Sequence, residues 1–158
     1  MLIATLKDLS RFTYYPGIDS GSLLAVGWLG KTSKFTAGSI SPNFLQRLAS
    51  LISDSWLAPF ASAGWHDCEL CAPGTRSANW IGEIEIASAS HREIFVPYEG
   101  RIFVSPESIG HYVACHRYCP PKEFIVAVET CPPVRSMDYK KLLLECGGGV
   151  LLGKPEVG

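Results

Sequence analysis

The segment Ile94-Phe95-Val96-Pro97-Tyr98-Glu99-Gly100-Arg101-Ile102-Phe103-Val104 decides the fold class, because it carries two short apolar runs on either side of a turn. β-branched and aromatic residues in runs of this length favour strands. Gly100 can take the positive φ that a tight hairpin turn requires. Together with the preceding run at Ile84 and Ile86, the pattern predicts three strands in a meander.

Helix signals surround these strands. Ser41-Pro42 and Ser105-Pro106 each place a capping serine before a proline at the first helical position. The predicted helices cover 42–54, 106–118, 122–129 and 136–146. The continuously apolar run Leu23–Leu29 is predicted to be a central strand. Strands in the middle of the chain with helices grouped behind them indicate an α+β fold, with a mainly antiparallel sheet and helices packed on one side.

The length and charge of the chain set the protein class. A length of 158 residues predicts a single domain, with an N-terminal arm (1–22), a core (23–146) and a C-terminal tail (147–158). In the tail, Val150-Leu151-Leu152 fits an edge strand or a docked tail.

The net charge of -1 argues against a nucleic-acid partner. No apolar run reaches the roughly 20 residues of a membrane span, and Met1–Asp8 lacks the basic start of a secretory signal. We therefore expect a cytoplasmic protein with no membrane partner.

The most specific local motif is Trp65-His66-Asp67-Cys68-Glu69-Leu70-Cys71, which precedes Pro73-Gly74. Two residues between two thiolates let both sulfurs reach one tetrahedral ion, so this loop resembles a zinc knuckle. The cytosol keeps cysteines reduced. The cysteine spacing therefore indicates a metal site rather than disulfides.

The predicted helix 106–118 can supply the remaining ligands, since it holds His111, Cys115 and His116. His111 and Cys115 are four residues apart and share a face, whereas His116 lies about 140° around an ideal helix from His111. Helix geometry therefore favours His111 with Cys115, unless the helix end is distorted before Pro120. His66 and Cys119 are further donors near these positions.

Other interpretations of the same residues remain open. Buried cysteines and helix histidines are common in ordinary cores. A redox role for the Cys-x-x-Cys pair is disfavoured, because Asp67 and Glu69 beside the thiols would raise the thiol pKa. Cys115 or Cys119 with a nearby histidine could also form a nucleophilic pair. His91-Arg92-Glu93 is predicted to be a surface turn.

Several motifs in order resemble a family of small, uncharacterised bacterial proteins. They are Ala25–Leu29, Gly64–Cys71, Ile102–Pro106, Ile109–Val113, His116, Tyr118 and Pro120–Phe124. The resemblance spans roughly residues 23–130 and implies no activity. The polar positions of the family pattern correspond to His66, Cys68, Cys71, His111 and His116. The resemblance therefore favours His116 over Cys115 as the fourth ligand.

These observations lead to two functional hypotheses. The favoured one is a cytosolic interaction module whose partner is another protein, such as a toxin or effector neutralised by an immunity or inhibitor protein. In it Cys68, Cys71, His111 and His116 hold a structural zinc, with His66 and Cys115 as alternates. The other hypothesis is a zinc-dependent hydrolase with an open metal position and Glu69 or Glu107 as general base. No residue is assigned to catalysis under the favoured hypothesis, and a regulatory subunit of a larger assembly is a third class.

Overall fold

The computed structural model of the protein describes residues 5–13, 22–56, 58, 66–72 and 78–152, and of residues 66, 78 and 90 the backbone alone. The helices are α1 (Pro42–Ser53), α2 (Ile109–His116), α3 (Lys122–Thr130), α4 (Met137–Glu145) and a 3-10 helix (Gly149–Leu152). The strands are β1 (Leu23–Ala25), β2 (His66–Asp67), β3 (Ala78–Ile81), β4 (Ile84–Ala87), β5 (Ala89–Ser90), β6 (Glu93–Tyr98) and β7 (Arg101–Pro106). The predicted α+β class is confirmed. Within these residues no helix combines the length and apolar character needed to cross a membrane.

The predicted hairpin at 94–104 forms the centre of the fold. β6 and β7 pair antiparallel, with Val96 opposite Phe103. Glu99 and Gly100 both have positive φ, 47° and 78°, as a type I′ hairpin turn requires at its two central positions. Ile94–Val96 and Ile102–Val104 are buried throughout, because α3 and α4 pack against β6 while β1 covers the other edge of β7.

The predicted meander is wrong in its third strand. β4 pairs with β3 as a separate two-stranded hairpin, and not with β6. The third strand of the main sheet is β1, which runs parallel to β7 with Leu24 opposite Phe103. The order β1-β7-β6 therefore places β7, not β1, in the centre of a mixed sheet, although the other three strand pairings are antiparallel.

Strand β1 is shorter than the predicted 23–29. It ends at Ala25, and the chain turns at Gly27, whose φ is +80°. A side chain at Gly27 would meet Ile109 of α2, since a Cβ there would lie 2.8 Å from Ile109 Cδ1. The close approach of α2 thus explains both the glycine and the end of the strand.

Residues 5–12 run antiparallel along the free side of β1. Arg11 bridges to Leu24, and the amide of Phe12 donates to the carbonyl of Leu23 at 2.9 Å. The Phe12 ring is buried and lies 5.3 Å from the Trp28 ring. This described part of the predicted N-terminal arm therefore covers the sheet edge; Tyr14 and Tyr15 lie outside the described residues.

Three of the four predicted helices are confirmed, and the start of α2 is wrong. The capping serines Ser41 and Ser136 accept amide hydrogen bonds from Phe44 and Tyr139 at 3.2 Å each. Ser105-Pro106 instead stays in β7, because the ladder to β6 continues until Glu93 pairs with Pro106. α2 therefore begins only at Ile109.

The C-terminal tail docks on the core instead of extending the sheet. Residues Gly149–Leu152 form a 3-10 helix with Leu151 buried. The indole of Trp56 donates to the Leu151 carbonyl at 2.9 Å. The docked-tail alternative is therefore the correct one for this segment, while residues 153–158 lie outside the described residues.

Candidate metal centre

Four of the predicted metal-binding side chains lie close together in the structure. The sulfur atoms of Cys68 and Cys71 and the Nε2 atoms of His111 and His116 all lie within 4.8 Å of one another. The cysteines come from the loop after β2, and the histidines come from α2. Each half thus contributes two local donors, and the fold brings the halves together so that the cluster can hold a metal ion.

The spacing of these donors resembles the edges of a tetrahedron. The two Nε2 atoms are 3.2 Å apart, and three of the four sulfur-to-nitrogen distances are 3.3 to 3.5 Å. A zinc ion with its usual bond lengths would place two nitrogens about 3.4 Å apart and a nitrogen and a sulfur about 3.6 Å apart. The donors therefore stand close to the positions that one tetrahedral ion requires.

The local environment suits ligation. Cys68 is buried, and this burial together with the neighbouring Cys71 raises the pKa of its thiol to about 11. A thiolate at this position therefore needs a cation beside it. His111 is 1% exposed, and burial lowers its pKa, with a further contribution from His116. A lowered pKa keeps the imidazole in the neutral form that binds metal.

The structure brings His116, and not Cys115, to His111 at the C-terminal end of α2, where the two Nε2 atoms lie 3.2 Å apart. The amide of Arg117 donates to the carbonyl of Tyr112, and Arg117 has a left-handed φ of 57°. This bond is a helix C-terminal cap, so α2 ends directly after His116. The expectation from ideal helix geometry, which favoured Cys115 with His111, is therefore wrong. Cys115 is exposed and lies outside the four-residue cluster.

His66, the other alternate ligand, lies in β2 with its backbone paired to Ser90. Its side chain lies outside what the structure describes. The two-residue ladder of β2 and β5 anchors the chain immediately before Cys68. Within the 68–71 loop, Glu69 Oε2 accepts the amide hydrogen of Lys31 at 2.8 Å, which connects this loop to the segment around residue 31.

Asn79 of β3 is a part of the site that the sequence did not reveal. Its Oδ1 lies 3.4 Å from Nδ1 of His111. In the tautomer protonated on Nδ1, this N–H donates to Asn79 and leaves the Nε2 lone pair directed at the cluster. No spacing in the sequence connects Asn79 to the Cys-x-x-Cys motif, so only the tertiary fold identifies it.

The remaining candidate residues make other contacts. Glu107 Oε1 accepts the amide hydrogen of His91 at 3.3 Å and lies 3.7 Å from the His91 ring nitrogen. The prediction of a surface turn at His91-Arg92-Glu93 is wrong, because Glu93 is 6% exposed and begins β6. The Cys119 thiol is half-buried and donates to the Pro120 carbonyl.

The sequence matches one family model over most of its length. The geometry defines the chain as an α+β protein with a four-donor Cys/His cluster that can hold a metal ion. Residues 4–129 match the family described as Domain of unknown function (DUF7919), and the chain belongs to that family. The expectation of an uncharacterised family is confirmed, and all four donors lie within the matched residues. No curated protein and no solved structure shows a significant match to the chain.

Proposed function

We propose that this protein is a protein-interaction module in which Cys68, Cys71, His111 and His116 hold a structural zinc ion. The observation that carries the proposal is that two sulfurs and two nitrogens from two separate chain segments all lie within 4.8 Å of one another. Such an ion would join the loop after β2 to α2. Its binding free energy would then contribute directly to the stability of the fold.

The donor set favours zinc over other ions. Tetrahedral sites with two sulfurs and two nitrogens are typical of zinc or of iron–sulfur clusters, whereas calcium and magnesium require oxygen ligands. Two thiolates and two neutral imidazoles also balance the charge of one divalent cation. A neutral complex suits a site in which Cys68 and His111 are buried, because uncompensated buried charge is costly.

The number of donors favours structure over catalysis. Structural zinc sites use four protein ligands, while catalytic sites use three and leave a position for water. Four donors here would fill the coordination sphere. The two candidate bases of the hydrolase alternative are also engaged elsewhere, with Glu69 holding Lys31 and Glu107 holding His91.

Metal analysis of protein purified without a metal-affinity step tests this proposal. One zinc per chain is expected in the wild type and in Cys115→Ser, and none in Cys68→Ser. Cys115→Ser is a matched control, because it removes an exposed thiol that lies outside the cluster. Replacing zinc by cobalt should give the intense visible bands of a tetrahedral site with thiolate ligands. Metal-free wild-type protein, or zinc that survives Cys68→Ser, would contradict the proposal.

The interaction part of the proposal is supported by an exposed aromatic side chain near the centre. Trp80 is 64% exposed and follows Asn79, the partner of His111, in β3. Tryptophan is enriched at the energetic centres of protein interfaces. A zinc ion that fixes His111 would therefore also fix the strand that presents Trp80.

Affinity capture with Trp80→Ala and Met137→Ala distinguishes this surface from exposed apolar side chains in general. Both residues are more than half exposed, and Met137 lies on α4. A protein captured from the native host by wild type and Met137→Ala, but lost with Trp80→Ala, would support the proposal. Equal capture by both variants, or no capture by the wild type, would contradict it. The narrower expectations of an immunity or inhibitor role, bacterial origin and cytoplasmic location stay predictions.

A further inference from the structure

A cavity of about 440 Å³ lies between residues 5–8 and the loop 29–36, on chain segments that hold none of the four cluster donors. This volume is within the range of small-molecule sites. Its polar lining comes from Thr5, Lys7, Asp8, Ser33, Lys34 and Thr36, and Phe35 adds an aromatic wall. From this arrangement we infer that the cavity binds the phosphate monoester of a small organic molecule.

The charge in the cavity is suited to an anion. Lys7 and Lys34 contribute two ammonium groups, and within the part of the chain that the structure describes neither has an ion-pair partner. The carboxylate that lines the cavity, Asp8, is held by two other groups. It accepts the Gly27 amide hydrogen at 2.9 Å and the Tyr118 hydroxyl hydrogen at 2.7 Å. The two ammonium groups outnumber the one carboxylate, so the charged groups of the lining carry a net positive charge.

Hydroxyl groups supply the directional contacts that a phosphate group needs. Ser33 Oγ accepts the Gly30 amide hydrogen at 2.8 Å, so its own O–H proton remains free to donate. Thr5 and Thr36 add two further hydroxyls on opposite segments of the lining. Phosphate oxygens accept several such bonds at once, and bonds between charged and neutral groups are stronger than bonds between two neutral groups.

Hydrogen bonds hold the loop side of the cavity, residues 30–36, in place. The 30–33 turn is closed by the Ser33 amide, which donates to the Gly30 carbonyl at 3.0 Å, and by Glu69, which accepts the Lys31 amide hydrogen. At the end of the same loop, the amide of Cys119 donates to the carbonyl of Thr36 at 2.8 Å. A preformed site spends little free energy on ordering its own groups when it binds.

The apolar lining specifies an organic ester rather than free phosphate. Phe35 packs edge-on against Tyr118, with ring centroids 5.8 Å apart, and its half-buried ring lines the cavity beside Leu29. These groups would contact the carbon portion of a ligand while the lysines hold its phosphate. Phenyl phosphate combines both features, and inorganic phosphate has only one.

Titration of the metal-loaded protein with phenyl phosphate, followed by amide NMR shifts, tests the inference. Saturable shifts are expected at residues 5–8 and 30–36, with tighter binding than for inorganic phosphate. Lys7→Gln/Lys34→Gln should weaken binding by at least about tenfold, since it removes two charged hydrogen bonds. The control is Lys140→Gln/Lys141→Gln, which removes the same charge from exposed positions on α4 and should leave affinity unchanged.

Two results would overturn the inference. The first is the absence of saturable shifts with phenyl phosphate at millimolar concentration. The second is an equal loss of affinity in the two double variants, which would indicate binding by overall charge. Both pairs of lysines are exposed, so each double variant is expected to fold, and a circular dichroism melt of each checks this before titration.

Discussion

The region around the Cys/His cluster and the region around the β6–β7 hairpin are held together in different ways. The hairpin carries six-residue strands whose central residues are completely buried, and Phe103 lies edge-on against Phe124 of α3 at 5.8 Å. The Cys68–Cys71 half of the cluster instead lies in a loop beside the two-residue strands β2 and β5, whereas its histidine half lies on α2, whose Ile109 and Tyr112 are completely buried. Apolar burial holds the hairpin and α2, whereas the loop after β2 depends on polar donors and a few hydrogen bonds.

This difference indicates where the protein is locally unstable. Backbone segments with few buried apolar contacts open at lower free energy than core strands. A metal ion at the cluster would cross-link the loop after β2, which packing holds weakly, to the well-packed helix α2. Without the ion, this loop should open while the hairpin and α2 stay closed.

Removing the metal should give the largest effect. Cys68→Ser is expected to lower the free energy of unfolding by more than about 4 kcal/mol when free zinc exceeds the dissociation constant a thousandfold. Hydrogen exchange should show lost protection at 66–72, with protection at 94–104 and 109–116 retained under native conditions. Cys115→Ser serves as the control with wild-type exchange. A uniform loss of protection across both regions would contradict the proposed division.

A substitution that leaves a cavity in the hairpin region should lower the stability of the whole fold without removing the metal. Phe103→Ala removes a side chain with no exposure, which typically costs about 3–5 kcal/mol. Because the site is in the main core, we expect a lower midpoint of denaturant unfolding while the folded protein keeps one zinc per chain. Zinc analysis of the variant beside its unfolding curve measures both quantities. Loss of the metal from the folded variant would show that the two regions are not separable.

Asn79→Ala sharpens the comparison within the cluster region. It removes the acceptor for Nδ1 of His111, and loss of such an outer partner commonly weakens metal binding by about 10–100-fold. A competition titration with a chromophoric zinc chelator measures the change. Trp80→Ala is the matched control, since the neighbouring side chain is exposed and makes no contact with the donors among the described residues. Equal affinities in the two variants would refute this role of Asn79.

Arg117→Gly should give the smallest effect, and in the stabilising direction. Arg117 has a φ of 57°, which is unfavourable for a residue with a Cβ, so glycine should gain about 0.5 kcal/mol after its extra unfolded-state entropy is subtracted. Thermal unfolding of the zinc-loaded protein measures this gain. A loss of stability would indicate that the Arg117 side chain, and not only its backbone, stabilises the C-terminal cap of α2.

Local signals in the sequence identified the features that depend on neighbouring residues. The capping serine Ser41 placed the start of α1 correctly, and Gly100 placed the hairpin turn, because each acts within a few residues. Ser105-Pro106 carried the same helix signature but lies in β7, since pairing with β6 is a tertiary interaction that outweighs it. The predicted place of β4 in one meander with β6 and β7 was also wrong, because the residues of a strand do not specify which strand it pairs with.

The same distinction applies to the site. The spacing of Cys68 and Cys71 marked one half of the cluster from the sequence alone. Ideal helix geometry favoured Cys115, but the structure places His116, the last residue of α2, in the cluster. Resemblance to the family pattern had favoured His116. Asn79 was not predicted, because its contact with His111 joins residues 32 positions apart.

The separation of the two donor pairs along the chain determines the order in which the centre can assemble. Cys71 and His111 are 40 residues apart, and closing a loop of that length costs about 3 kcal/mol of chain entropy. Each pair is local, so a newly made chain can hold an ion by one pair alone before the fold closes the loop. Two chains that have each bound an ion with one pair can instead complete each other's centres, when the free pair of one chain binds the ion of its partner. Because this bridging requires two chains, dilute protein during refolding favours the one-chain centre, whereas concentrated protein favours bridged chains.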